Sequence, residues 1–294
     1  MLDMQARAAR TGDHTDLGSP CYTNGMKTPA TSPKTPDLYY ERMGSGPDVL
    51  LLHGWASSCQ MWTALSDALS DRARCWAVDL PGFGHSRLPA HIRPDIDAHM
   101  HWVVEFCHQH SIRPLVVIGH SMGGMLALKL AHAHPELVQR LILVCPVVTG
   151  RFVLNANEVF ASQLWLMISA KTRKFWSLIQ SDSLAPVFSA PLYVDRKLHP
   201  RYVRDFQRTQ WDAAMAALES IAQGTMQPHL ALVKQPTLIV VGSRDFTVPP
   251  DEGRLAAQTM PHARLVELEG VHHQPLDEAP DRFIPLVRDF VTSA

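Results

Sequence analysis

The stretch LVVIGHSMGGMLALKLAHAH, residues 115–134, decides the fold. The apolar run Leu115 to Gly119 has the make-up of a buried strand, and Met125 to His134 is helix-like. Between them Gly119-His120-Ser121-Met122-Gly123 fits G-x-S-x-G, in the strand-turn-helix context that the pattern requires. A serine forced into so sharp a turn has unfavourable backbone angles, and the small residues Gly119, Gly123 and Gly124 let strand and helix approach closely. Alone, the pentapeptide also fits a serine in an ordinary glycine-rich turn. The rest of the chain has to decide.

Outward from this stretch, short apolar runs alternate with longer helical ones, which predicts a mainly parallel sheet with helices on both faces. Candidate strands are Leu38 to Met43, Val49 to His53, Arg74 to Val78, Leu115 to Gly119, Leu141 to Cys145, Thr237 to Gly242 and Arg264 to Leu268. Helices are expected near residues 60–70, 95–111, 122–133, 251–259 and 278–292. The spacing predicts an α/β core over 37–146 and 235–294, with a helical insertion over 147–234 that sits as a lid above the sheet. Residues 1–36, rich in Thr, Ser, Pro, Gly and Asp, are expected to form a flexible tail. The glycines of Gly44-x-Gly46 read as a turn between the first two strands, since the nucleotide-loop pattern is incomplete.

A serine hydroxyl is a weak nucleophile until a histidine takes its proton, and that histidine needs a carboxylate to orient it. Asp245 follows the apolar strand TLIVVG, where open α/β sheets gather functional groups, although Asp is also common in plain surface turns. Two adjacent histidines, His272 and His273, lie in LEGVHHQPLDEAP before the last helix. The order serine, acid, histidine is the one this strand-turn-helix context calls for.

Over nearly everything from residue 38 onward, the chain resembles the α/β-hydrolase superfamily, in its serine hydrolase, esterase-like branch. His53-Gly54-Trp55 is similar to the family's HG oxyanion turn, and Asp79-Leu80-Pro81-Gly82-Phe83-Gly84-His85-Ser86 to its D-x-P-G-x-G-x-S loop. Gly242-Ser243-Arg244-Asp245 resembles the acid loop, and His273-x-Pro275 with Glu278 and Pro280 the histidine loop. The resemblance implies a catalytic triad of Ser121, Asp245 and His273, with His272 at a place usually held by a small residue. It implies an oxyanion hole from the backbone N–H groups of Trp55 and Met122. The expected reaction is hydrolysis of a carboxylic ester, or a thioester, of small to medium apolar character through an acyl-enzyme. The alternatives are C–C bond hydrolysis of ring-cleavage products and a non-catalytic small-molecule receptor. Ring-cleavage hydrolases share Ser-Met-Gly-Gly but typically carry Asn before the serine and Trp after the histidine, where this chain has His120 and Gln274.

Composition narrows the partners. A net charge of −1 offers no field for nucleic acid, and no apolar run is long enough for a membrane span. Sixteen histidines invite a metal, but His99/His101, His108/His110 and His132/His134 are spaced i,i+2 on expected helices and cannot share a face. No metal and no cofactor is expected. Five cysteines without CxxC spacing, and a beginning without an apolar leader, predict a cytoplasmic protein with reduced thiols. Residues 147–234 hold ten Lys and Arg against six Asp and Glu, a surplus suited to an anionic substrate or a carrier protein, or to an ordinary solvated helix face. Phe160, Leu164 to Ile168, Phe175, Trp176 and Leu178 are expected to cover an apolar pocket or to pack the insertion onto the core.

Overall fold

A computed structural model describes residues 36–89, 92–151, 173–189 and 199–293. The N-terminal stretch expected as a tail lies, except for its last residue, outside the described residues. So do Phe160 and Leu164 to Ile168.

Seven strands form one sheet: β1 (Tyr40–Met43), β2 (Asp48–Leu52), β3 (Arg74–Val78), β4 (Pro114–His120), β5 (Arg140–Val144), β6 (Thr237–Gly242) and β7 (Ala263–Leu268). Their order is β1-β3-β2-β4-β5-β6-β7, and every pairing is parallel except the edge pair β1 with β3. The chain goes from β2 out to β3 on one side and returns to β4 on the other. That reversal is a topological switch point, and the loops leaving β2 and β4 flank a crevice at the carboxyl edge of the sheet.

Buried parallel strands must be apolar on both faces, and β2 shows why. Val49 and Leu51 face one layer, with α1 (Thr63–Leu69) and the C-terminal helix α10 (Pro280–Thr292) contributing Leu65, Leu69, Phe283 and Val287. Leu50 and Leu52 face the other, against α2 (Ile96–Gln109), α3 (Met122–Ala133) and α8 (Pro250–Thr259), through Val103, Leu126 and Ala256. Each fully buried aliphatic side chain of this kind contributes roughly 1.5–3 kcal/mol. Helix α2 starts where Asp95 accepts the Ala98 N–H at 2.7 Å, satisfying one of the unpaired first-turn donors. On α2, His99 is buried while His101 is exposed, as their spacing requires. Gly44 and Gly46, with φ of 82° and 116°, make the turn between β1 and β2.

Between β5 and β6 the described insertion is helical: α4 (Arg173–Ile179), α5 (Ala185–Ser189), α6 (His199–Arg208) and α7 (Trp211–Gln223), then a 3-10 turn at Gln227–Leu232. Trp176, Ile179, Ala185, Phe206 and Ala214 of these helices make a small core of their own with Ala56 from the loop after β2. Trp176 is buried and donates its indole N–H to the Thr209 carbonyl at 3.0 Å, whereas Leu178 is 55% exposed. Leu178 therefore neither covers a pocket nor packs the insertion down, because the helix turns its other face to the core. The short helix α9 (Pro275–Glu278) precedes α10. Among the described residues no helix is long and apolar enough to cross a membrane.

Candidate active site

Strand β4 ends at His120, and Ser121 makes the turn into α3 with φ 54° and ψ −113°. A residue with a Cβ rarely adopts such angles, so the surrounding contacts must hold them. The Ser121 N–H donates to the Val144 carbonyl at 2.9 Å, and its own carbonyl accepts from Gly124, Met125 and Val147. Glycine is needed two residues further on: a Cβ on Gly123 would lie 2.3 Å from the Leu52 carbonyl oxygen. Met122 is the first residue of α3, so its N–H has no acceptor within the helix and is free for an incoming oxygen.

The acid stands on the turn after β6. Asp245 is buried, and its Oδ1 accepts the N–H groups of Thr247 at 2.8 Å and Val248 at 2.9 Å. Its Oδ2 meets Nδ1 of His273 at 2.7 Å. Burial pushes the Asp245 carboxyl up. The His273 charge and hydrogen bond, with the two backbone donors, outweigh burial and hold it below its ordinary value.

The loop carrying His273 is wrapped around Glu278. One carboxylate oxygen accepts from the N–H of His272 at 2.8 Å and lies 2.9 Å from its Nδ1, while the other accepts from the Gln274 N–H at 2.9 Å. His272 is thereby held on Glu278, with its ring edge against Phe246, and His273 is the histidine paired with the acid. A third imidazole, read from sequence only as a departure from the ring-cleavage hydrolases, completes this region. His120 lies with its ring centroid 4.7 Å from that of His273 and places Nε2 2.8 Å from the His273 carbonyl oxygen. Burial, with the His273 charge adding to it, pushes its pKa down to about 3, so the ring is neutral and Nε2–H donates.

The turn after β2 supplies the opposite wall. His53 is buried, accepts the Leu80 N–H on Nε2 at 2.9 Å and places Nδ1 2.7 Å from the Gly54 carbonyl, which makes it a strut of the turn. Asp79 accepts the N–H groups of Cys59 at 2.6 Å and His85 at 2.7 Å, so the 79–86 loop is likewise a support. Trp55 donates its indole N–H to Ala214 of α7 at 2.9 Å, tying this turn to the insertion. From α6, Asp205 accepts from the Ser58 hydroxyl of the same turn at 2.7 Å, and Arg201 ties the insertion to the histidine loop by a two-pronged pair with Asp277, one arm at 3.1 Å. Tyr202 donates its hydroxyl to the same Asp277 carboxylate at 2.6 Å.

Ser121, His273, Trp55, Met122 and His120 all line one cavity, with Val147, Tyr202, Leu218, Ile221 and Val248. All five residues expected at the site from sequence are thus brought to the carboxyl edge of the sheet, with Asp245 behind His273. The walls are mainly apolar and the polar groups converge on Ser121. Such an arrangement can split an acyl bond: a hydroxyl, an imidazole steadied by a carboxylate, and the Met122 N–H at a helix start, placed for negative charge on oxygen.

A family model described as alpha/beta hydrolase fold matches residues 47–280. A pimeloyl-(acyl-carrier protein) methyl ester esterase of Aeromonas hydrophila subsp. hydrophila is 29% identical over 262 residues, covering 85% of this chain and 98% of its own. A protein of the same description from Nitrosospira multiformis is 29% identical over 264 residues, covering 84% and 95%. Among solved structures, an esterase from Exiguobacterium antarcticum superposes with a TM-score of 0.74 at 21% identity, covering 87% of this chain and 96% of its own.

Proposed function

The chain belongs to the α/β-hydrolase fold family, and from that premise we propose that Ser121, Asp245 and His273 are the catalytic triad of a carboxylic ester hydrolase. The observation that carries the assignment is the 2.7 Å contact between Asp245 and His273 behind a cavity that His273 shares with the strained Ser121. His273 takes the Ser121 proton as the hydroxyl attacks the ester carbonyl, and the backbone N–H groups of Trp55 and Met122 receive the oxyanion. The imidazolium then protonates the departing alcohol, and water, deprotonated by the same ring, releases the acyl group. The curated relatives are esterases, which does not favour the C–C hydrolase or receptor alternatives.

The substrate is an acyl ester of small to medium apolar character, since Val147, Leu218, Ile221 and Val248 form the cavity wall. Helices α6 and α7 act as a lid, fastened to the turn after β2 and to the histidine loop. A carrier protein bearing the acyl group is the finer reading: the two relatives are named for such a substrate, and the insertion has its basic surplus, with Arg204 of α6 exposed. A cytoplasmic setting is part of the same reading, supported by the free, buried thiols of Cys59, Cys75, Cys107 and Cys145. Ser121→Ala tests the mechanism: ester turnover should fall by about 10³-fold or more, and labelling by a fluorophosphonate should vanish. Turnover within a few-fold of wild type would show that another group attacks.

A further inference from the structure

One buried side chain beside the triad, a thiol, has no part in hydrolysis. Cys145 follows β5, the strand between β4, which leads into the serine, and β6, which precedes the turn of the acid. It holds φ 45°, with its N–H donated to the Val240 carbonyl at 2.8 Å and its Sγ 4.0 Å from the His272 carbonyl oxygen. One ligand atom each from Cys145, Asp245 and His273 lies within 4.8 Å of the others.

We propose that Cys145, Asp245 and His273 form an inhibitory site for a soft divalent metal ion of the Zn²⁺ or Cd²⁺ class. The inference rests on the triad reading above, because it is occupation of His273 that stops turnover. A thiolate, an imidazole and a carboxylate are the donor set such ions take. Tetrahedral bonds of about 2.0–2.3 Å place ligand atoms roughly 3.3–3.8 Å apart, so an edge of up to 4.8 Å has about 1 Å to close and the 2.7 Å edge between Asp245 and His273 about 0.6 Å to open, by rotation of the side chains. Charge also balances: a divalent cation with one thiolate and one carboxylate is neutral, which suits a buried place.

The protons account for the inhibition. The Cys145 thiol loses its proton to solvent as the S–metal bond forms. Nδ1 is the ring nitrogen that faces Asp245, at 2.7 Å; when it gives its lone pair to the metal, the proton it shares with Asp245 leaves it and the neutral ring carries its proton on Nε2 instead. Nε2 then has no lone pair for the Ser121 proton, and the base is blocked without any contact to the serine.

The test uses the full chain, CdCl₂ as probe, and Cys145→Ala and Cys145→Ser beside Cys107→Ala, a control for another buried free thiol. Wild type and Cys107→Ala should lose ester turnover reversibly, with recovery in EDTA, and should develop the thiolate-to-cadmium charge-transfer absorption. The Cys145 variants should keep basal turnover and lack that absorption. They should need more Cd²⁺ for the same inhibition, by at least the about 10- to 100-fold that losing even an outer partner costs a metal site. Equal inhibition of wild type and both Cys145 variants, with equal absorption, overturns the proposal. Cysteine-dependent absorption with turnover untouched would uphold the metal site and sink the role given to His273.

Discussion

Replacing Asp245 by Asn probes the site where the acid meets the base. The amide oxygen can keep the Oδ1 position and still accept from the N–H groups of Thr247 and Val248, so the turn after β6 survives. The amide nitrogen then falls where Oδ2 now meets Nδ1 of His273 at 2.7 Å, and it is a donor. To meet a donor, Nδ1 must give up its proton, which moves to Nε2 and faces Ser121 as N–H. A base in the wrong tautomer costs about 10⁴-fold in kcat, which is roughly 5.4 kcal/mol of barrier. Stability should change much less, by the roughly 1.5–3 kcal/mol of one charge-assisted hydrogen bond. That difference has a pH signature. The Asp245 pKa is lowered in the fold, so its contribution is present above the ordinary carboxylate value of 3.8 and lost as pH falls through the lowered one. Turnover of a short-chain p-nitrophenyl ester, with urea unfolding of both proteins, makes the measurement. A folded Asp245→Asn protein with kcat within about tenfold of wild type would refute the argument that Asp245 sets the tautomer of His273.

Two further substitutions test the frame around the site. Gly123→Ala puts a methyl 2.3 Å from the Leu52 carbonyl oxygen and 2.6 Å from that of His53, both backbone atoms that cannot swing away. The variant should lose about 1–3 kcal/mol or more in urea unfolding and most of its turnover; a stability equal to wild type would mean that β2 and α3 are further apart than described. Arg201→Leu leaves the Asp277 carboxylate, only 10% exposed, with the Tyr202 hydroxyl as its remaining partner of this trio. Breaking such a pair on one side should cost about 3–5 kcal/mol, and Arg201→Leu with Asp277→Leu should recover most of it; additive losses in the double variant would refute coupling between α6 and the histidine loop.

How far the sequence was legible follows from what determines each position. Ser121, Asp245 and His273 could be read because each stands just beyond a strand, and parallel strands carry their C-terminal loops to one edge whatever the helices between them do. The strands Arg74–Val78 and Thr237–Gly242 have the bounds that their apolar runs predicted. That β1 runs antiparallel was not legible, because a four-residue edge strand carries no local mark of its direction. His120 sits at the variable place of the serine motif, and only the fold shows that its ring lies on His273. Cys145 could have been singled out as the residue just past β5, yet an apolar run that closes on a cysteine looks like core. The link from Arg201 to Asp277 spans 76 positions, and no periodicity announces a contact between two amphipathic segments so far apart.

These differences divide the molecule by cause. The core positions Ser121, Asp245 and His273 through strand order, each on a turn at the carboxyl edge of the sheet. The insertion meets that edge through the apolar cluster around Ala56 and through a few polar pairs: Trp55 with Ala214, Ser58 with Asp205, and Asp277 with Arg201 and Tyr202. Leu218 and Ile221 of α7 line the same cavity as the serine. A change in those pairs shifts α6 and α7 over an unchanged triad. Substrate choice should therefore follow exchanges in the insertion, where KM responds first, while exchanges at the strand ends lower kcat for every ester alike.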